Sequence, residues 1–543
     1  MASALDTSDF LAKLFDLPTS TGNLNLPGAT AESAEALIEL LKHNARHNHV
    51  YFSSEKRQHN HVMDHLFAAY GLGASPALLK EIYASHRYEQ PVKSSPQEIT
   101  DETFFQHIGD EKYYGAYLVY FCRYLLSHTP TEAIQKFILA EEYNYADPDF
   151  NDPNMYIRYW AGIIHPHIHL GYGIEFGVLQ QIAEGLAMTA VHHPHQGMTE
   201  VDMFASLEDK KIMREIKSVL LNFELASAIV IERTTAPRNF LGLASALLSD
   251  ESLSLESLGL KGGVPVGDYG ITLRSAGPRI ARHVAAWYDA WMDGVPADKA
   301  ESQLALMVED VLLTVTTWYA AAGWGKRRPD QVTHNSFIAM HFVTSSMFLP
   351  NLVLANSRHY QALDPPLPLR SRAALLRGFV NQCAHWYVGM GRAPVPIADF
   401  YSATDNFVFS NATALDTRGA AQRNMGTMTQ TERYSSPASA WARIWPSIIV
   451  HPNEHLVKLI RALGAFSQMY GVRGKGFYAG AASAHVDAGA VDGTLFVRAA
   501  ALTMEKMGWV AEGEPTRVWE FNTYVPSKMG PGGPGGPPGG PSA

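Results

Sequence analysis

Cysteine is almost missing. Cys122 and Cys383 are the only two in 543 residues, which excludes a disulfide scaffold and a zinc or iron–sulfur site built from several thiolates. A reducing compartment follows. Long runs of Lys and Arg are also lacking, and the chain carries a net charge of −10. Nucleic acid and anionic membrane surfaces are therefore poor partners. No stretch of 18 or more uncharged apolar residues occurs; the run from Val219 to Ile231 is broken by Asn222 and Glu224. No membrane-spanning helix is predicted. Met1 to Asp6 show no basic region leading into an apolar core, so no signal peptide is predicted and a cytoplasmic location is expected.

Nucleotide signatures are missing as well. The glycine clusters at 259–263 and 471–476 lack the strand–turn–helix context of a dinucleotide site, and no phosphate loop is present. No flavin is expected. Neither a Gly-x-Ser-x-Gly elbow nor a Ser-His-Asp arrangement is legible.

What remains is helical pattern and histidine. With 46% hydrophobic and 18% charged residues, the composition is that of an ordinary globular protein. Leu37, Ile38, Leu40 and Leu41 form a helical stripe over 31–43. Thr129-Pro130-Thr131-Glu132 reads as an N-cap with proline in the first turn. Similar periodicity covers about 61–72, 111–127, 175–191, 208–232, 275–293, 299–322, 335–356, 370–391 and 455–470. Thr516 to Val525 is the best strand candidate. The predicted fold is all-α: one large helical array over 21–528 with irregular insertions, chiefly near 235–300, a leader over 1–20 and a disordered Gly/Pro tail over 529–543. No repeat period of 30–50 residues supports a solenoid.

Histidines recur as i, i+4 pairs: His61 with His65, His165 with His169, and His451 with His455. Such spacing aims two imidazoles from one helix face at a common point, and helix bundles build metal sites from facing helices. His165 and His451 both precede proline, which predicts that each sits at a helix N-cap. There the helix dipole disfavours imidazolium and leaves the ring free to ligate. Lys458 shares the face of His455 and could ligate only deprotonated or carboxylated; the alternative is an ion pair. His341 adds a lone polar group to an apolar stretch followed by hydroxyls. The expected ligands are His61, His169, His341 and His455, with Lys458 in addition. His65 and His165 are ligands or orienters of ligands. The same residues are the expected catalytic set. A histidine site with an open position suits non-haem iron. Glu175 and Glu184 are candidate acceptors for imidazole N–H groups, and Tyr172, Phe176 and Phe348 candidate ring contacts for a substrate. His43, His47 and His49 are expected on a solvated face, His192, His193 and His195 at the surface, and His385 in the core.

These blocks together resemble the questin oxidase-like family. The resemblance rests on His59-Asn60-His61, His65 and Leu72-Gly73-Ala74-Ser75, and above all on His165-Pro166-x-Ile168-His169-Leu170-Gly171-Tyr172-Gly173-Ile174-Glu175-Phe176. Ala183-Glu184-Gly185-Leu186-Ala187, His341-Phe342-Val343-Thr344-Ser345-Ser346, and Glu454-His455-x-x-Lys458-x-x-Arg461 carry it further. It covers about residues 50–470. Asp64 departs from the pattern, standing where the family often has another histidine. The resemblance implies a fungal polyketide-tailoring oxygenase of Baeyer–Villiger type that inserts oxygen into, or opens, a ring of an anthraquinone-like substrate. It also implies O2 as co-substrate and NADPH as electron donor. Two other classes fit the residues: a zinc-dependent hydrolase or lactonase on the same histidines, and a non-catalytic helical binding protein.

Overall fold

The computed structural model describes residues 13–521 apart from 19–21, 25, 54–57, 87–90, 92–94, 146–152, 196–197, 199–238, 261–273, 357–358, 411–436, 479–484 and 486. The predicted helix at 208–232, the tail over 529–543 and most of the predicted leader lie outside the described residues.

The described chain is helical throughout, as its periodicity predicts. In order run α1 (Ala31–His47), α2 (Val62–Gly71), α3 (Pro76–Ser85), α4 (Tyr114–Leu125), α5 (Pro130–Phe137), α6 (Met155–Tyr159), α7 (Ala161–Phe176) and α8 (Leu179–Val191). Then come α9 (Phe240–Ser249), α10 (Gly277–Met292), α11 (Ala300–Thr317), α12 (Phe337–Ser346), α13 (Leu349–Val353) and α14 (Leu369–Gly389). The last four are α15 (Ile397–Ser410), α16 (Pro437–Ile448), α17 (Glu454–Tyr470) and α18 (Leu495–Met507). Thr129 caps α5 with Pro130 in its first turn and a reciprocal bond from Glu132, as the local sequence requires.

Three expectations change. The periodicity near 175–191 belongs to two helices, because Gly177 adopts φ +72° and ends α7 before α8 begins. The segment near 235–300, expected as the chief insertion, packs into the array through α9 and α10, which lie on α11 and α14. Thr516 to Glu520 form no strand beyond one bridge between Glu520 and Ser336; among the described residues the only sheet is the antiparallel pair β1 (Tyr51–Ser53) and β2 (Gln58–His59). Residues 297–326 are long and apolar enough to cross a membrane, yet 89% of their most apolar window is buried within the fold. That burial marks a core helix.

Buried within that core, Asp310 on α11 accepts the N–H of Phe240 at the start of α9, a donor with no partner inside its own helix. Burial, with Glu309 adding to it, pushes the Asp310 carboxyl up to about 7 from 3.8. A raised acid favours the folded state below its unfolded pKa, and that advantage is lost as pH climbs through the folded value. Between pH 4 and 7 the parent protein should therefore lose stability relative to Asp310→Asn, which keeps the acceptor and cannot ionise. The difference reaches up to ~4 kcal/mol at roughly 1.4 kcal/mol per pH unit. Urea unfolding of both proteins across this range checks it; parallel profiles would refute it.

Candidate metal centre

Four helices enclose the site. α2 packs on α7 and α17, and α12 packs on the same two, so the four close a ring. Each contributes one imidazole: His61 at the N-cap of α2, His165 at the start of the regular part of α7, His341 within α12 and His455 in the first turn of α17. Neighbouring ring centroids follow the same order. His61 to His165 is 5.0 Å, His165 to His341 5.1 Å, His341 to His455 5.2 Å and His455 to His61 4.4 Å. Nitrogens of His61, His165 and His455 lie within 4.8 Å of one another, against the roughly 3–4 Å that separates ligands of one bound metal.

Protonation is set by what each Nδ1 touches. His341 Nδ1 donates to the carbonyl of Phe337 at 2.7 Å, and His165 Nδ1 to the carbonyl of Gly162. His455 Nδ1 donates to Glu454 at 2.9 Å, and His61 Nδ1 to Asp64 at 2.9 Å. The acceptors of His165, His341 and His455 carry no proton of their own, so these rings hold their hydrogen on Nδ1 and present an Nε2 lone pair. The Nε2 atoms of His165, His341 and His455 are buried and have no hydrogen-bond partner among the described residues. Burial pushes His61, His165 and His341 well below the ordinary histidine range, and neighbouring imidazoles and Lys458 push the same way. Burial, then Lys458, lowers His455 as well. Neutral rings with fixed tautomers and converging lone pairs are a donor set for a first-row metal.

The backbone strains to deliver His165. Gly162, Ile163 and Ile164 all adopt left-handed dihedrals, with φ of +56°, +55° and +68°. For β-branched isoleucine this conformation costs about 1–3 kcal/mol. At Gly162 a Cβ would collide with the rings of His59 and His192. The helix becomes regular only at His165, so Pro166 sits in its first turn, where a missing N–H is harmless. His451 differs from that expectation. The N-cap of α17 is Asn453, two residues later, and His451 Nδ1 accepts the Asn453 N–H at 3.1 Å. Proline at 452 therefore precedes the helix, and His451 stands apart from the four rings.

Other expected ligands fall one layer out. His169 donates Nδ1–H to Glu184 at 2.9 Å and holds Nε2 3.9 Å from Asp64 Oδ1. His65 pairs with Nε2 of His86 at 3.1 Å rather than with the ring of four, and burial drives its pKa to about 3. Lys458 Nζ lies 2.8 Å from Asp64 Oδ2 and 3.2 Å from His61 Nδ1, with 2% of its side chain exposed. Burial alone would raise Asp64, but Lys458 and His169 outweigh it and keep the carboxyl below its usual range. Asp64, the departure from the family pattern, thus ties His61 and Lys458 together, while its Oδ1 and His169 Nε2 have no hydrogen-bond partner among the described residues.

Of the two carboxylates expected to accept from imidazole, Glu184 does so and Glu175 pairs with Arg461 instead. Tyr172, Phe176 and Phe348 pack against one another and Phe67 in the core, with 1–3% exposure. His43 and His47 are exposed as expected, whereas His49 is buried. His192 and His195 are buried rather than superficial, and only His193 is exposed. His59 stacks on His165 at 3.8 Å and shares a 2.8 Å hydrogen bond with His192. His385 is a core residue, its Nδ1 donating to the Asn381 carbonyl at 2.8 Å. Phe337, which sequence reasoning passed over, covers the His341 and His455 side at 4.6 and 4.8 Å between centroids. An aromatic four residues before a histidine on one helix was its only signal.

Residues 58–463 match the model of a family described as questin oxidase-like. The chain is similar to the Baeyer-Villiger monooxygenase dmxR6 of a Cryptosporiopsis species, 30% identical over 32% of this chain and 39% of that protein. It is also similar to the Baeyer-Villiger monooxygenase AacuH of Aspergillus aculeatus, 27% identical over 59% of this chain and 63% of the relative. With the questin oxidase of Aspergillus terreus it shares 22% identity over 37% of this chain and 49% of the other. These matches span about four to six tenths of the relatives' own length.

Proposed function

The chain belongs to the questin oxidase-like family, and from that premise we propose that it is an oxygenase acting on an aromatic polyketide through a histidine-bound non-haem metal, best iron. One observation carries the reading: nitrogens of His61, His165 and His455 lie within 4.8 Å of one another, and the His341 ring stands beside those of His165 and His455, with the Nε2 atoms of these three buried and without a partner among the described residues. Two relatives named Baeyer-Villiger monooxygenases and one named questin oxidase support an oxygen-inserting oxidation.

His61, His165, His341 and His455 would hold the metal. Bound there, iron would supply activation of O2 beside an electron-rich ring. The protein's own residues keep the four rings neutral by burial, and Asp64 holds the tautomer and orientation of His61. Phe337 excludes water from one side of the centre. Lys458 stands beside Asp64 and His61, where its carboxylated form would offer an oxygen donor and its ammonium form an ion pair. NADPH is the proposed electron donor, met as a diffusing reagent in the absence of a dinucleotide motif. The cytoplasm is the proposed location.

Turnover should require O2, and ¹⁸O from labelled gas should enter the product, because a redox metal transfers oxygen from O2 whereas zinc delivers it from bound water. Protein purified without added metal should contain about one iron per chain, and added flavin should change nothing. Anaerobic turnover at the aerobic rate, with label entering only from water, would reject the oxygenase and install a zinc hydrolase on the same imidazoles. Lys458 is tested in the same preparation. A carboxylated ligand predicts bicarbonate-dependent metal binding that Lys458→Arg cannot restore; full occupancy in the arginine variant places Lys458 in the ion pair.

A further inference from the structure

Asn381 and Gln382 stand side by side on α14, both fully buried. All four polar atoms of their side-chain amides lack a hydrogen-bond partner among the described residues. Neither residue belongs to the metal centre. An amide buried dry is costly, so native cores pair such groups or leave them facing a polar occupant. His195, also buried, has both ring nitrogens without a side-chain or backbone partner among the described residues. Its ring meets that of His385 edge-on at 5.5 Å, and His385 donates to the Asn381 carbonyl. Asn381 and Gln382 stand four and three residues before His385 on one helix, so both border the ring that His195 meets.

That place is connected to the four imidazoles. His195 follows His192 by three residues, a span of at most about 10 Å, and His192 bonds to His59, which stacks on His165. On α14 itself, Gly378 lies one turn before Gln382 on the same face. A Cβ at Gly378 would strike Tyr156 and Trp160, the segment that leads into the left-handed turn before His165.

Resting on the oxygenase reading above, we propose that Asn381 and Gln382, with His195, form the hydrogen-bonding wall of the substrate site and bind ring carbonyl and hydroxyl oxygens of a planar aromatic ligand. A carboxamide carries a donor and an acceptor in one plane, which matches a ring carbonyl flanked by a phenolic hydroxyl. Burial keeps His195 neutral, with its pKa near 3, so it offers one donor and one acceptor without a charge. Sites built to pair polar groups discriminate strongly against ligands that lack them.

The test uses the full chain with its metal. Binding of 1,8-dihydroxyanthraquinone and of unsubstituted anthraquinone is followed by quenching of tryptophan fluorescence, for the parent protein, Gln382→Met and Asn381→Leu. Metal content and thermal midpoint are measured on each. The expected result is a loss of tenfold or more in affinity for the dihydroxy ligand in every variant that stays folded, with metal content kept and binding of unsubstituted anthraquinone changed less than threefold. Unchanged affinity for the dihydroxy ligand in folded variants overturns this wall and leaves the oxygenase reading standing. Failure of the metal-loaded parent to bind either quinone overturns the aromatic substrate class itself, and this inference with it.

Discussion

His455→Ala is expected to leave the protein folded, without metal and without turnover. Its ring nitrogen lies within 4.8 Å of nitrogens of His61 and His165, and the ring touches both His61 and His341. Loss even of a group that merely orients a ligand costs about 10–100-fold in metal affinity, so loss of the ligand should cost more and bring activity down by at least ~1000-fold. The fold should survive, because a neutral ring with an unpaired nitrogen contributes little polar stabilisation and the core around it is large. Removing it should cost no more than the ~1–3 kcal/mol typical of single substitutions. Metal quantification and circular dichroism on the same sample read both outcomes. His169→Ala makes the contrast. Its Nδ1 is held by Glu184 and its Nε2 lies 3.9 Å from Asp64, so metal affinity should weaken by about 10–100-fold without being abolished. Complete metal loss in His169→Ala with retention in His455→Ala would move the centre to the other side of Asp64.

The largest loss of stability is expected from Arg461→Met. Arg461 and Glu175 form an ion pair in which both side chains are 0% exposed, one bond measuring 3.1 Å. The guanidinium also lies 5.2 Å from the Phe176 ring centroid. Taking away the cation strands a carboxylate in the core, at a cost of about 3–5 kcal/mol. Glu175→Leu combined with Arg461→Met should recover most of that, since apolar replacement of a whole buried pair is often neutral. Urea midpoints of the single and double variants measure it, and a double variant no more stable than Arg461→Met would show that the pair is held by more than its charges. Metal content of the folded double variant should stay unchanged, because Glu175 serves Arg461 and no imidazole. This is where pattern misled: Glu175 stands ten residues after His165 on a histidine-bearing helix, while its partner is 286 positions away.

Much of the architecture was legible because it is local. Apolar spacing over 31–43, the Thr129 cap and the breaks around the helices all follow from interactions within a turn or two, and the structure places helices there. The histidine families were legible for the same reason. The roles of Asp64, Lys458 and His192 were not, since each takes its meaning from a partner distant in sequence. Sequence alone also set His192 and His195 at the surface, because proline between histidines reads as an exposed loop; the left-handed turn at Gly162 that makes room for His192 leaves no local signature.

By itself, the sequence determined the helical class, the scarcity of thiols and the supply of imidazoles near helix starts. Those properties depend on composition and on contacts between residues three or four apart. Only tertiary structure decided which imidazoles meet. It placed the His165 ring beside those of His61 and His341, where the strained turn over 162–164 aims it, and turned His169 Nδ1 to Glu184. It detached His451 from His455, because Asn453 caps α17 in its place. Convergence of side chains from α2, α7, α12 and α17 depends on how four helices pack, and packing is settled by shape and burial across hundreds of residues, which no local spacing encodes.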